Sequence, residues 1–321
     1  MQILLQLLLL IAGFIFLVKG ADWLVEGAAG IAEKAGISKL VIGLTIVAMG
    51  TSAPEAAVSI SASVKNSADI AVGNVLGSNI MNILVILGLT AVITPLAVQA
   101  STVKYEIPFV FFISVIFALI GLLDGQIGRL DGVILWVLFI AYLTYLYFMS
   151  KADRANRYLG EEHEEDEEEE EKPRPVWQLA VLFLVGLALI VFGSNLAVDA
   201  ATAIAKLIGV SERFIGLTIV ALGTSLPELV TSVTAARRDE ADIAVGNIVG
   251  SNIFNLLFVI GTAALIAPVA YESKFIFDSV VAVLSVVILW ICVFFFKRRT
   301  LQRWGGIVML VCYALYFGYI L

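Results

Sequence analysis

The sequence predicts an all-α polytopic membrane protein of ten transmembrane helices, arranged as two inverted five-helix repeats. Three observations predict it. Apolar runs of membrane-crossing length recur along the chain, a long motif pair returns at one fixed offset, and an odd number of crossings separates the two copies.

Of the 321 residues, 60% are hydrophobic and 15% charged, against roughly 45–50% and about 25% in a soluble domain. A soluble globular domain is thereby excluded, and the strand alternation of a membrane barrel is absent. Runs of about 20 apolar residues match about 30 Å of hydrocarbon. The expected spans are 3–32, 38–65, 68–93, 106–123, 130–149, 176–207, 212–236, 241–266, 273–296 and 303–321. The first and sixth are long enough to tilt strongly or to pass the membrane surface. The opening "MQILLQLLLLIAGFIFLVKG" is read as a span, because it lacks the basic start and small-residue cleavage site of a signal peptide.

Basic residues set the orientation. If residues 150–175 form a cytoplasmic linker, that side collects fourteen Lys and Arg, among them Lys34, Lys151, Arg237 and Arg298, against five on the other. Both termini are then extracytoplasmic, with one five-helix repeat in 1–149 and the other in 176–321. The expected location is the cell membrane, with lipid as the surrounding partner and no nucleic acid.

The net charge of −7 is dominated by "EEHEEDEEEEE", residues 161–171, which holds ten of the 27 acidic residues. Such a run reads as a solvated linker, and its spacing matches no EF-hand loop. His163, the only histidine, lies in it, so no histidine acts within the membrane. Cys292 and Cys312 both lie in apolar spans, which excludes a disulfide framework and a cysteine metal site.

A constant shift of 173 residues superposes "GLTIVAMGTSAPE" (43–55) on "GLTIVALGTSLPE" (216–228), and "ADIAVGNVLGSNIMN" (68–82) on "ADIAVGNIVGSNIFN" (241–255). No gap is needed, which marks two copies of one structural unit. Five crossings separate Glu55 from Glu228, so the second copy is upside down. Inverted copies bring equivalent spans together near the bilayer centre.

Glu55 falls near the middle of its span, where a charge costs from about 2.5 to well over 10 kcal/mol. The same anomaly at Glu228 points to an ion or proton pathway. Pro54 and Pro227 lack an amide hydrogen, so each helix opens and frees carbonyl oxygens around Gly50 and Gly223. In lipid those groups need partners. Helical spacing places Thr51 and Ser52 on the face of Glu55, and Thr224 and Ser225 on the face of Glu228. Ser78 with Asn82, and Ser251 with Asn255, add a second oxygen face in the following span. Gly73 with Gly77, and Gly246 with Gly250, have the spacing of close helix contacts. Hard oxygen donors without imidazole or thiolate select Na+, Ca2+ or Mg2+. Ca2+ accepts six to eight oxygens in flexible geometry, whereas Mg2+ demands a near-ideal octahedron. Asp69 and Asp242 begin their helices, where a negative side chain complements the dipole. Glu26 and Asp199, also equivalent, read either as interface anchors or as part of an ion entrance.

The paired "GTSAPE" and "GTSLPE", followed by "GNVLGSNIMN" and "GNIVGSNIFN", resemble the alpha repeats of the sodium/calcium exchanger family in its short prokaryotic branch. The resemblance implies ion sites between spans 2, 3, 7 and 8, and sliding of spans 1 and 6 past a fixed core. Carried over by motif, it implies that Glu55 and Glu228 bind Ca2+ with backbone oxygens at Thr51 and Thr224. It further implies Na+ sites drawing on Ala48, Ser52 and Ser78, and on Ala221, Ser225 and Ser251. Many members have Asp where this chain has Asn255, opposite Asn82. That departure leaves protonation, an extra cation site and the stoichiometry open.

The expected function is antiport of Na+ against Ca2+ by alternating access, normally extruding Ca2+, with no organic cofactor. Two rivals stay open: H+/Ca2+ exchange on the same glutamates, and a passive cation channel. An enzyme is not expected, because no nucleophile and base are paired and "GNVLGSN" lacks the lysine of a phosphate loop.

Overall fold

The computed structural model describes residues 2–65, 68–160, 174–209, 221–294 and 299–320, without side chains for 68, 69, 153–160 and 221. The acidic run with His163, and residues 212–220 of the seventh expected span, lie outside the described residues, as do the side chains of Asp69 and Ala221.

Twelve helices carry the described chain: α1 (Gln2–Ala35), α2 (Lys39–Thr51), α3 (Ala53–Val64), α4 (Ile70–Ile93), α5 (Thr102–Asp124) and α6 (Arg129–Gly160) in the first half. The second half has α7 (Val176–Leu207), α8 (Ala221–Thr224), α9 (Leu226–Arg237), α10 (Ala241–Ile266), α11 (Lys274–Phe294) and α12 (Arg303–Ile320). Among the described residues eight helices are long and apolar enough to cross a membrane, and α2 and α3 together pass the same test as a pair bent by 51°. α8 and α9 are the described part of the seventh expected span.

Local chemistry sets the ends. Ser38 caps α2 by accepting from the Val41 amide at 3.4 Å. Gly36 and Gly125, both at φ 64°, end α1 and α5 in the left-handed conformation that only glycine adopts without strain. Pro54 and Pro227 sit in the first turns of α3 and α9, where a missing amide hydrogen costs nothing.

Among the described residues four π-helical turns interrupt the spans: Gly43–Val47, Asn82–Leu87, Thr102–Glu106 and Asn255–Val259. The sequence did not announce them. A π-turn widens the coil by one residue, and such bulges collect at functional sites. Two of these begin on the candidate residues Asn82 and Asn255.

α4 and α10 form the centre. In the most apolar window of each, 72% and 94% of the residues are buried inside the protein, against 17% for α1. Gly246 and Gly250 of α10 lie against the main chain of α2, where a Cβ on Gly250 would come 2.6 Å from the Leu44 carbonyl. The expected close packing thus holds for the second glycine pair. The segment that would face Gly73 and Gly77 by the 173-residue shift is 213–221, mostly outside the described residues.

α1 and α7 pack antiparallel along a glycine seam. Gly13 faces Gly193, Gly20 faces Gly186 and Gly27 faces Leu179, each pair so close that an added Cβ would meet main chain within 3.0 Å. The glycines recur every seven residues, two helical turns, so one narrow stripe makes the contact. The outer faces carry exposed Leu4, Leu8, Ile11 and Phe14 on α1, and Val181, Leu184 and Phe192 on α7, the surface lipid would cover.

The two halves are stitched crosswise. β1 (Leu96–Ala97) pairs antiparallel with β4 (Thr300–Leu301), and β2 (Gln126–Ile127) with β3 (Val269–Ala270). Stacking of Phe254 on Phe258, 4.7 Å apart, with Trp136 and Phe139 against them, ties α6 to α10.

Candidate functional site

The bend between α2 and α3 falls on Ser52, whose φ of −83° and ψ of 7° take it out of the helix. Ser225 has nearly the same angles, −93° and 5°, between α8 and α9. Pro54 and Pro227 explain both bends, since neither can donate to the carbonyl four residues earlier. The freed Gly223 oxygen accepts from the Ser194 hydroxyl of α7 at 2.7 Å.

The bend changes the expected oxygen faces. Ser52 does not serve Glu55, three residues on; it donates to Glu228 at 2.7 Å. Ser225 reciprocates, donating to Glu55 at 3.3 Å. A regular helix would have kept each serine on the face of its own glutamate, but the break turns the hydroxyl across to the opposite repeat. The Thr51 hydroxyl likewise goes across, to Asn247 Oδ1 at 3.0 Å.

These crosswise bonds bring both carboxylates to one place, where Glu55 is 1% and Glu228 0% exposed. Asn82 and Asn255 are equally buried. Four oxygens of these residues have no hydrogen-bond partner within the protein: Glu55 Oε2, Glu228 Oε2, Asn82 Oδ1 and Asn255 Oδ1. They form two pairs related by the 173-residue shift. An orphaned buried polar atom costs about 1–3 kcal/mol, more when charged. Four orphaned acceptors on two repeat-related pairs are a fit for a cation, which satisfies every acceptor it touches.

The remaining candidates flank this centre. Ser251 of α10 reaches the Ala48 carbonyl at 3.5 Å, an oxygen that also accepts from the Ser52 amide at 3.0 Å and the Thr51 hydroxyl at 3.3 Å. The same shift pairs Ser78 with Ala221. Ser78 is buried; the Ala221 side chain is outside the description. Thr224 ends α8, immediately before the second bend.

Several participants were missed in the sequence. Asn74 donates to Ser59 at 2.9 Å and to the Glu55 carbonyl at 3.3 Å, holding α4 to α3. Asn247 donates to Ser232 at 3.1 Å, the same bond in the second repeat. Asn79 and Asn252 bond each other's main chain across the repeats at 3.2 and 3.3 Å. All four asparagines stand at identical positions in the "GNVLGSN" and "GNIVGSN" blocks, so the repeat itself held that signal. Ser194 had none, because its counterpart is Ala21.

The outlying acids have simpler roles. Asp242 accepts from Gln99 at 2.7 Å in the first turn of α10. Glu26 is ion-paired with Arg174, and Arg238 lies 3.6 Å from Glu26 and 3.3 Å from Asp22. Glu26, Arg174 and Arg238 line a cavity of about 720 Å³ at one end of α1.

The family model described as sodium/calcium exchanger protein matches residues 5–148 and 178–321. The sodium/calcium exchanger MaX1 of Methanosarcina acetivorans is 33% identical, with 96% of each chain covered. The inner membrane protein YrbG of Escherichia coli is 41% identical, with 86% of this chain and 84% of the relative covered. Among solved structures, the sodium-calcium exchanger NCX_Mj soaked with 10 mM Na+ and 10 mM Sr2+ superposes with a TM-score of 0.83 at 33% identity, covering 98% of each chain.

Proposed function

Because this chain belongs to the sodium/calcium exchanger family, whose members are membrane transporters, we propose that its cation/Ca2+ antiport runs through Glu55 and Glu228. Na+ and Ca2+ compete for the two carboxylates, and Na+ flowing inward extrudes Ca2+ across the cell membrane. The observation that carries this reading is the set of four partnerless oxygens on Glu55, Glu228, Asn82 and Asn255.

Charge explains why the transport is an exchange. Each unpaired buried charge costs several kcal/mol even after relaxation. One Ca2+, or two Na+, cancels the charge of two carboxylates. A loaded site can therefore pass through a closed state, and an empty one cannot. Thr51 and Thr224 contribute backbone oxygens, while Ala48, Ser52 and Ser251, with Ala221, Ser225 and Ser78, form the flanking Na+ positions.

The chain is read as ten spans in two inverted five-helix repeats, 1–149 and 176–321, joined by a cytoplasmic linker, with both termini outside. Alternating access moves α1 and α7 past the core. The glycine seam supports this, since the pair pack on each other along a smooth stripe, and none of the candidate ligands lies on either helix.

Calcium uptake into vesicles holding the purified protein tests the reading. A sodium gradient should drive it and a pH gradient should not. Uptake driven by the pH gradient alone would replace Na+ with H+ as the coupling ion. Uptake needing no counter-ion would make the protein a channel.

A further inference from the structure

Four asparagines meet between the repeats: Asn79 and Asn82 on α4, and their counterparts Asn252 and Asn255 on α10. None is more than 4% exposed. The two ends of an asparagine amide are near-isosteric, yet here each orientation follows by elimination. A main-chain carbonyl can only accept, so the end of the Asn79 amide lying 3.2 Å from the Asn252 carbonyl is its NH2. Its Oδ1 then faces Asn255, and only the NH2 of Asn255 can answer it, at 3.2 Å. That turns Asn255 Oδ1 out of the ring.

The second repeat supplies the mirror image. Asn252 donates to the Asn79 carbonyl at 3.3 Å, and its Oδ1 accepts from Asn82 Nδ2 at 3.1 Å. Asn82 Oδ1 is turned outward in its turn. The two outward oxygens are the amide oxygens already identified as buried without a partner.

We propose that Asn79 and Asn252 are positioning residues for cation binding: by gripping the opposite repeat's main chain, they lock the Asn82 and Asn255 amides with oxygen, not NH2, toward the ion. The proposal rests on the reading of Glu55 and Glu228 as the cation site. Its physical content is a sign. An unlocked amide could turn its NH2 dipole toward the cation, converting attraction into repulsion without moving any backbone. The ring also demands a hydrogen-bond donor at position 255, which the amide supplies and an ionised carboxylate could not.

A double-mutant cycle tests it, with equilibrium Ca2+ binding to the full-length protein as the readout. Asn252→Leu removes the acceptor that holds Asn82. It should weaken Ca2+ binding about fivefold, the worth of one net hydrogen bond, and should add nothing once Asn82→Ala has removed the amide it orients. The repeat-related cycle of Asn79→Leu with Asn255→Ala should behave alike. A merely structural role predicts equal losses in both backgrounds, and that result, or no loss from Asn252→Leu, overturns the proposal.

Should the leucine variants fail to fold, the unaltered protein carries the test. With asparagine labelled in 13C and 15N in lipid, added Ca2+ should shift the side-chain carbonyl resonances of Asn82 and Asn255, assigned by loss in Asn82→Ala and Asn255→Ala. Those of Asn79 and Asn252 should stay. The opposite pattern, or movement of none of the four despite bound Ca2+, overturns the proposal. Absence of Ca2+ binding by the unaltered protein would instead fail the cation-site reading, and this inference with it.

Discussion

The Ser52 hydroxyl donates to Glu228 at 2.7 Å, across the repeat boundary, although Glu55 is only three residues away along its own chain. Ser52 and Glu228 are both fully buried, so each bond between the repeats acts in a medium where it is strong.

A thermal-unfolding cycle separates the two partners. Ser52→Ala combined with Glu228→Leu should show a coupling of about 1.5 kcal/mol or more, the range for hydrogen bonds to charged groups. Ser52→Ala with Glu55→Leu should be additive within about 0.5 kcal/mol. The reverse order of couplings would mean that the serine serves its own glutamate.

The proline-freed carbonyl of Gly223 is held by Ser194. Ser194→Ala should cost about 1–2 kcal/mol of stability, because a buried acceptor loses its donor. Pro227→Ala supplies a new amide hydrogen four residues after Gly223, so the same Ser194→Ala change should cost less in that background. Unfolding of the four proteins decides it, and equal costs would refute the account of the break.

Gly20 tests the seam. A methyl group there would lie 2.7 Å from the Gly186 oxygen and 2.9 Å from the Ile190 amide. Gly20→Ala should destabilise by about 1–3 kcal/mol through overpacking and slow Ca2+ uptake, while equilibrium Ca2+ affinity stays unchanged. A weakened affinity with normal speed would place α1 in the site rather than beside it.

Acid should weaken Ca2+ binding. Protonation removes the charge that Glu55 and Glu228 offer, so Ca2+ and protons compete, and the apparent affinity falls as pH falls. Titrating Ca2+ at a series of pH values checks the sign; affinity constant down to pH values where carboxylates are protonated would exclude the glutamates.

The repeat made much of this site legible. Two glutamates with prolines beside them recur at one offset in mid-span, and the asparagines that meet between the repeats recur with them. What the sequence concealed came from departures from regular helix. The 51° bend at Ser52 cancels the three- and four-residue spacing that assigned serine and threonine hydroxyls to their own glutamate. The π-turns at Asn82 and Asn255 leave no compositional trace, since leucine, isoleucine and valine fill π and α turns alike. Ser194 acts through a contact that breaks the two-fold pattern, so neither periodicity nor self-comparison could single it out.

The most direct test is the count of Ca2+ ions bound at equilibrium by purified protein in the absence of Na+. One ion per chain should bind to the unaltered protein and be displaced by Na+, and both Glu55→Gln and Glu228→Gln should abolish that binding. Unchanged binding in either variant would contradict the paired-carboxylate site.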